Sequence, residues 1–162
     1  SGREYVLRDY RMPEEKTAVQ KEFSERDAQI VRKNVEENVL DMVRAHPETT
    51  FYFYTPPYSI AWWYTQQCYG NVLRYFEAEK LQAEMLLEYD NVKLYSFADM
   101  FDLTQDLDNY KDDKHYNAEI SDKIIDWIYD GTGLITKENY EERISKMEEF
   151  YLNQVSESSF SE

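Results

Sequence analysis

The chain has 162 residues, enough for one domain with a hydrophobic core and too few to argue for two. Hydrophobic residues make up 42%, which excludes a disordered acidic tail, and aromatic residues 16%, mainly through 15 tyrosines whose rings suit both an ordinary core and an amphipathic pocket. The formal net charge of −15 repels phosphate backbones and anionic membranes, which argues against nucleic acid and against electrostatic membrane docking; its plainest consequence is solubility.

Residues 1–23 are charged and read as an irregular arm with one helical turn after Pro13. The start, SGREYVLRDY, has no signal-peptide apolar core. Ser1-Gly2 is compatible with a cloning scar, and the chain with a piece of something longer. From Ser24 the pattern changes. SERD resembles a capping box with Asp in place of Glu or Gln, and Ile30, Val31, Val35, Val39, Met42 and Val43 recur at helical spacing. The helix should run over 25–45 and stop before Pro47, with His46 as a helix-end residue facing the last carbonyls. TTFYFYTPP predicts a strand over 50–55, and its aromatic residues on both faces suggest an interior strand packed on two sides.

A loop or short helix follows, carrying Trp62 and Trp63, and then a helix over 71–89. Cys68, in that loop, is the only cysteine. It can form no internal disulfide and suits either a cytosolic protein or an extracytoplasmic one that does without disulfides. DNVKLYSF gives a turn and a strand over 92–96, and an Asp-rich loop leads to Asn117, the cap of a helix over 118–130 that Gly131 and Gly133 end. The last helix covers 137–154, before a polar tail. No apolar run reaches the roughly 18 residues that cross a membrane.

The chain therefore divides into an arm (1–23), an α/β portion (24–134), a C-terminal helix (135–154) and a tail (155–162). Strands separated by helices imply right-handed crossovers and a parallel sheet covered on both faces. Two strands make a poor sheet. Either edge strands are hidden, or the chain is the latter part of a larger domain, or it pairs with another chain.

The loop NYKDDKHYN, 109–117, carries the chemistry. Asp112 is placed to orient the imidazole of His115, which would then take a proton from a hydroxyl nucleophile and return it to a leaving group. The same residues equally describe a solvated acidic loop. Asp106, Asp108 and Asp113 crowd the segment and compete for the orienting role, and one His among several Asp is a weak divalent-metal alternative.

Three blocks together, FYFYTPPYSIAWW, YDNVKLYSF and LDNYKDDKHYNAEIS, resemble the C-terminal half of SGNH/GDSL-type hydrolases. More narrowly, they are similar to bacterial cell-surface members related to the lipoteichoic-acid D-alanylation protein. The resemblance covers about residues 24–130 and implies an SGNH/flavodoxin-like α/β fold: a partial three-layer α/β/α sandwich with a short parallel sheet whose N-terminal strands are missing. It implies Asp112 and His115 as catalytic residues, with Tyr116 following the His. It also implies substrate contacts from Tyr58, Ser59, Trp62 and Trp63 around the active-site mouth, although the two tryptophans suit core packing equally well.

The family's nucleophile, in a Gly-Asp-Ser-like block, and its further oxyanion donors lie N-terminal to the 50–55 strand, and this chain has none of them. Ser59 lacks the flanking glycines of a nucleophile elbow, since its neighbours are Tyr58 and Ile60. The expectation is the C-terminal portion of a serine esterase or acyltransferase acting on acyl esters of cell-surface polysaccharide or a teichoic-type polymer. It would be extracytoplasmic, need no metal or organic cofactor, and be inactive alone. The competing expectation is a non-catalytic glycan- or protein-binding module using Tyr58, Trp62, Trp63 and Tyr64. Self-association through exposed sheet edges accompanies either.

Overall fold

The computed structural model describes residues 2–17 and 19–160; Ser1 and the last two residues of the tail lie outside them. The chain is a mixed α/β structure with a small sheet of three strands, β1 (Phe51–Thr55), β2 (Val92–Ser96) and β3 (Leu134–Ile135), in the order β1-β2-β3. β1 and β2 pair in parallel, with Phe51 opposite Val92 and Thr55 opposite Ser96. β3, absent from the sequence reading, pairs antiparallel with β2 through Leu94–Ile135 and Tyr95–Leu134. A two-residue strand has too little periodicity to announce itself. Gly133 lets it form: at φ +82°, an added Cβ would lie 2.7 Å from the Phe97 ring.

The expectation of an interior first strand is corrected. β1 is an edge strand among the described residues, and Tyr52 and Tyr54 are 55% and 42% exposed. Phe51 and Phe53 face a layer formed by α2 (Glu25–Val35), a π-helical turn (Glu36–Leu40) and α3 (Asp41–Ala45), which continue one another as a single helix. The Ser24 capping box that starts it is present as read, with Asp27 reaching back to the Ser24 amide at 2.9 Å.

The region around α1 (Arg3–Asp9) is a second correction, because the arm read as irregular, with a helical turn after Pro13, instead carries its helix before Pro13. Val6 is buried, the Gly2 amide donates to the Tyr110 carbonyl at 2.9 Å, and the Arg3 amide donates to Asp108 Oδ1 at 2.8 Å. The tail is docked as well. Phe160 is buried against the rings of Tyr10 and Tyr64, and its carbonyl accepts from Arg3 Nη2 at 2.7 Å.

The main core lies between α4 (Ile60–Cys68), α5 (Val72–Leu86) and the final long helix, α8 (Tyr140–Asn153). Its centre is a stack in which Trp63 lies 4.3 Å from Tyr151 and 4.8 Å from Phe76, nearly parallel to both. Such pairs add about 0.5–1.5 kcal/mol each beyond the area they bury. Between them in sequence come α6 (Phe101–Gln105) and α7 (Ala118–Asp130). Asn117 caps α7 as expected, accepting from the Ile120 amide at 3.1 Å. α7 packs Ile120 and Ile124 against Tyr95 and Phe97 on the other face of the sheet. Arg143 of α8 clasps Asp99 with two 2.8 Å bonds and also donates to the carbonyls of Ser96 and Leu134, locking the ends of β2 and β3 to that helix.

One carboxyl is buried beneath the sheet. Glu79 of α5 is 9% exposed; Oε1 accepts from the Ser96 hydroxyl at 3.2 Å, and Oε2 has no partner among the described residues. Burial pushes its pKa from 4.5 up to about 7, with partial relief from the hydroxyls of Thr55 and Ser96. A carboxyl that holds its proton more tightly in the folded state contributes stability that is full below about pH 4.5 and lost as pH rises through about 7. Glu79→Gln is therefore expected to stabilise the protein more at about pH 8 than at about pH 5, by at most about 3 kcal/mol. Thermal unfolding of both proteins across that range measures it; a difference independent of pH would show that Glu79 does not titrate there.

Candidate active site

The strand-end segment after β1 and the loop 109–117 form one unit. The loop closes on itself through a Tyr110–Tyr116 bridge, a 2.7 Å bond from the Lys111 amide to the His115 carbonyl, and a 2.8 Å bond from the Asn117 amide to the Asn109 carbonyl. It is tied to the strand end at two buried points. The phenol of Tyr110, fully buried, donates to the Pro57 carbonyl at 2.6 Å, and the Ser59 hydroxyl donates to the Asp113 carbonyl. A third tie is peripheral, a 3.2 Å bond between the hydroxyls of Tyr54 and Tyr116.

Within this frame the Asp-x-x-His spacing closes a compact turn. The Asp112 carboxylate accepts from the amides of Lys114 (2.8 Å) and His115 (2.6 Å), and the His115 ring meets it through Nδ1, 2.9 Å from Oδ2 and 3.0 Å from Oδ1. Of the four acidic residues that competed in the sequence, Asp112 is the one that holds the imidazole. Its partial burial pushes its carboxyl up, but the two amides and the imidazole outweigh this and hold it below the usual carboxylate range.

With Nδ1 on Asp112, Nε2 points away and has no hydrogen-bond partner among the described residues. The His115 side chain is 72% exposed and that of Asp112 46%. This is the geometry of a base oriented by a carboxylate, with its outer nitrogen free to take a proton.

The predicted substrate contacts separate into two groups. Tyr58 and Trp62 are half-buried neighbours with ring centroids 4.4 Å apart, and Lys114 Nζ lies over both, 5.1 Å from the Tyr58 ring and 5.9 Å from the Trp62 ring. Tyr116 is half-buried beside Tyr54. These three residues border the loop surface. Ser59 and Trp63 do not: both are 0% exposed.

Ser59 caps α4, accepting from the Trp62 amide at 3.3 Å while donating to Asp113, so its hydroxyl is fully engaged in positioning the loop and is no nucleophile. Trp63 is the middle of the core stack, where its helical position, one residue past Trp62, turns it inward. Tyr64, 7% exposed, is likewise core.

Two residues passed over in the sequence matter here. Tyr110 is the loop's main anchor, and Lys114 covers the aromatic pair. The signal for the first was the placement of Tyr110 and Tyr116 symmetrically about a tight polar turn. For Lys114 there was none.

A concavity lies elsewhere. It is an open groove of about 550 Å³ between the exposed face of β1–β2 and α7, bordered by Tyr52, Lys93, Tyr95, Ile125 and Tyr129 among others. Among the described residues no group of three or more His, Cys, Asp or Glu is placed to hold a metal ion, and no helix is long and apolar enough to cross a membrane.

Removing the Tyr110 hydroxyl leaves the Pro57 carbonyl buried without its partner, so Tyr110→Phe is expected to cost about 1–3 kcal/mol. The loosening should concentrate in the loop, with the Lys111 amide exchanging faster relative to amides of α5. Uniform acceleration across the chain would mean that the bond supports the whole fold and not the loop in particular. Comparison with family models, with curated proteins and with solved structures finds no match for this chain.

Proposed function

We propose that the chain carries the acid–base half of a serine-hydrolase-type site, as the C-terminal portion of an SGNH-like esterase or acyltransferase. The observation that supports this most is the Asp112–His115 pair: Nδ1 engaged by a carboxylate that is itself fixed by two amides, and Nε2 left outward. The location adds to it. The pair is fastened to the segment following the carboxyl end of a strand in a parallel pair, where α/β folds gather functional groups.

In this reading a serine hydroxyl outside the residues seen here gives its proton to Nε2 as it attacks an acyl ester. An acyl-enzyme forms, and His115 returns the proton to the departing alcohol. Water, or a sugar or polyol hydroxyl, then accepts the acyl group. Cell-surface polysaccharide or a teichoic-type polymer is the substrate class the sequence resemblance implies, and an extracytoplasmic setting goes with it. Tyr58, Trp62 and Tyr116 are the remaining candidates for contacting the substrate.

A second reading, a non-catalytic binding module, is favoured by one observation, the half-exposed Tyr58–Trp62 pair under Lys114. It no longer has Trp63 or Tyr64 available, since both are buried.

The catalytic reading predicts that the chain alone lacks saturable turnover of p-nitrophenyl acetate, because no nucleophile is hydrogen-bonded to His115 Nε2 among the described residues. It also predicts a downfield Nδ1–H proton resonance that Asp112→Asn removes. Saturable turnover abolished by His115→Ala would show that a nucleophile is present after all. A ring proton indifferent to Asp112→Asn would remove the oriented base itself. A serine-bearing block encoded upstream of Arg3 distinguishes the enzyme from the module.

A further inference from the structure

We propose that Glu79 is a positioning residue for the loop 109–117, linked to it by a proton: the neutral carboxyl braces the carboxyl ends of β1 and β2, and the ionised form loosens the loop. Glu79 lies on α5 beneath the last ladder pair of the parallel strands, Thr55 opposite Ser96. Oε1 accepts from the Ser96 hydroxyl at 3.2 Å, and the Thr55 hydroxyl serves the carboxyl from the neighbouring strand. A cavity of about 20 Å³, the room one water molecule takes, adjoins it. Its other walls are mainly apolar, from Ala83, Leu86, Leu94, Ile135 and Ile144.

A neutral carboxyl both donates and accepts, so it can bridge two strand ends through their hydroxyls; a carboxylate only accepts. Loss of the proton therefore removes a donor and leaves a charge against an apolar wall, and the hydroxyls and water must turn toward it. The other charged or titratable groups that act on Glu79 are Asp99 beyond β2, Arg143 and Tyr151 on α8, and Tyr75 on α5. Asp99 and Arg143 hold each other through two 2.8 Å bonds, and burial keeps both phenols above their ordinary range. Glu79, pushed by burial up to about 7, changes charge near neutrality.

The two strand ends do not share the strain equally. The end of β2 is clasped: Arg143 donates to the Ser96 carbonyl at 3.2 Å, and the Ser96 amide donates to the Gly133 carbonyl at 3.0 Å. The end of β1 has no arginine on it among the described residues and, beyond its ladder to β2, rests on the Thr55 hydroxyl. A rearrangement at Glu79 therefore moves β1 more than β2. Pro56 and Pro57 follow Thr55 directly, and their fixed φ passes a displacement on where freer residues would absorb it. It arrives at the Pro57 carbonyl, which holds the Tyr110 phenol at 2.6 Å, and at Ser59, which holds Asp113. These are the two buried ties of the loop. The bearing on catalysis rests on the reading of His115 as the base; the proton linkage itself does not.

Amide exchange of the whole chain, read as protection factors at about pH 6 and about pH 8.5, tests it. The Lys111 and Asn117 amides, which close the loop, should lose protection about fivefold as Glu79 ionises. The Ala28 amide, bonded to the Ser24 carbonyl at the start of α2, should keep its own. Glu79→Gln should hold the loop's protection within about twofold across that range. His115→Ala should leave the loss in place, since the imidazole is not its cause. In the unaltered chain the carbon resonance of the Glu79 carboxyl should titrate together with the loss, near pH 7. Loop protection that is constant with pH, or that falls equally in Glu79→Gln, overturns the proposal. So does a carboxyl resonance that does not titrate in that range, a loss matched by Ala28, or a loss that disappears in His115→Ala and so belongs to the imidazole. The base itself is tested separately, by the Nδ1–H resonance and its response to Asp112→Asn.

Discussion

The buried bond from the Tyr110 phenol to the Pro57 carbonyl is the constraint on which the candidate site depends. Pro57 has no amide of its own to offer and follows a strand that ends abruptly, so the chain leaves β1 in a fixed direction with its carbonyl turned inward. A carbonyl buried there needs a donor, and Tyr110 supplies one from 53 residues away in sequence. Burial pushes the phenol above its ordinary titration range, so it remains a hydrogen-bond donor at neutral pH. The Ser59 hydroxyl repeats the logic two residues further on, capping α4 and reaching Asp113. Asp112 and His115 are thus hung from a rigid frame, although their own side chains stand largely in solvent. A freely solvated acidic loop would have neither tie.

The sequence disclosed the parts of this arrangement that are periodic or local. The two long strands, the helix beginning at Ser24 with its capping box, and the Asn117-capped helix are all local patterns of apolar spacing and cap chemistry, and all three are present. The Asp112–His115 contact was legible for the same reason, since three residues of separation let a turn close it. What escaped depends on partners distant in sequence. The helix Arg3–Asp9 is charged and unremarkable until Val6 meets the core and Gly2 meets Tyr110. Phe160 gave a polar tail no periodicity, yet it is buried between Tyr10 and Tyr64. Trp62 and Trp63 are adjacent in sequence but about 100° apart on a helix, so one faces the loop and the other the core stack; only the direction of α4 decides which is which.

The error over β1 has a different cause. FYFYT carries large aromatic residues on both faces, and by composition it suits a strand covered on both sides. Phe51 and Phe53 find their layer in α2 and α3. Tyr52 and Tyr54 find only an edge of one, because α7 packs over β2 and leaves the adjoining face of β1 open. Side-chain chemistry and sheet position disagree here, and the two tyrosines stay largely exposed. Tyrosine makes such an exposed face tolerable, since its hydroxyl reaches water while the ring lies along the sheet.

The same sheet is polarised by what lies at its carboxyl end. Thr55, Ser96, Glu79, Asp99 and Arg143 converge beneath it, a polar network inside an otherwise apolar layer. Arg143 satisfies Asp99 with two parallel bonds and closes the ends of β2 and β3, whereas Glu79 retains an oxygen without a partner among the described residues. Replacing that carboxyl by an apolar residue would remove the cost of its burial but would also strip the Ser96 hydroxyl of its acceptor, which is why an isosteric amide and not leucine isolates the charge. The network holds the strand ends in register from below, and the Tyr110 and Ser59 bonds hold the loop to the segment just beyond β1. The three-stranded sheet of the described residues can present an oriented imidazole because its rim is fastened on both sides by hydrogen bonds that its short ladder could not supply.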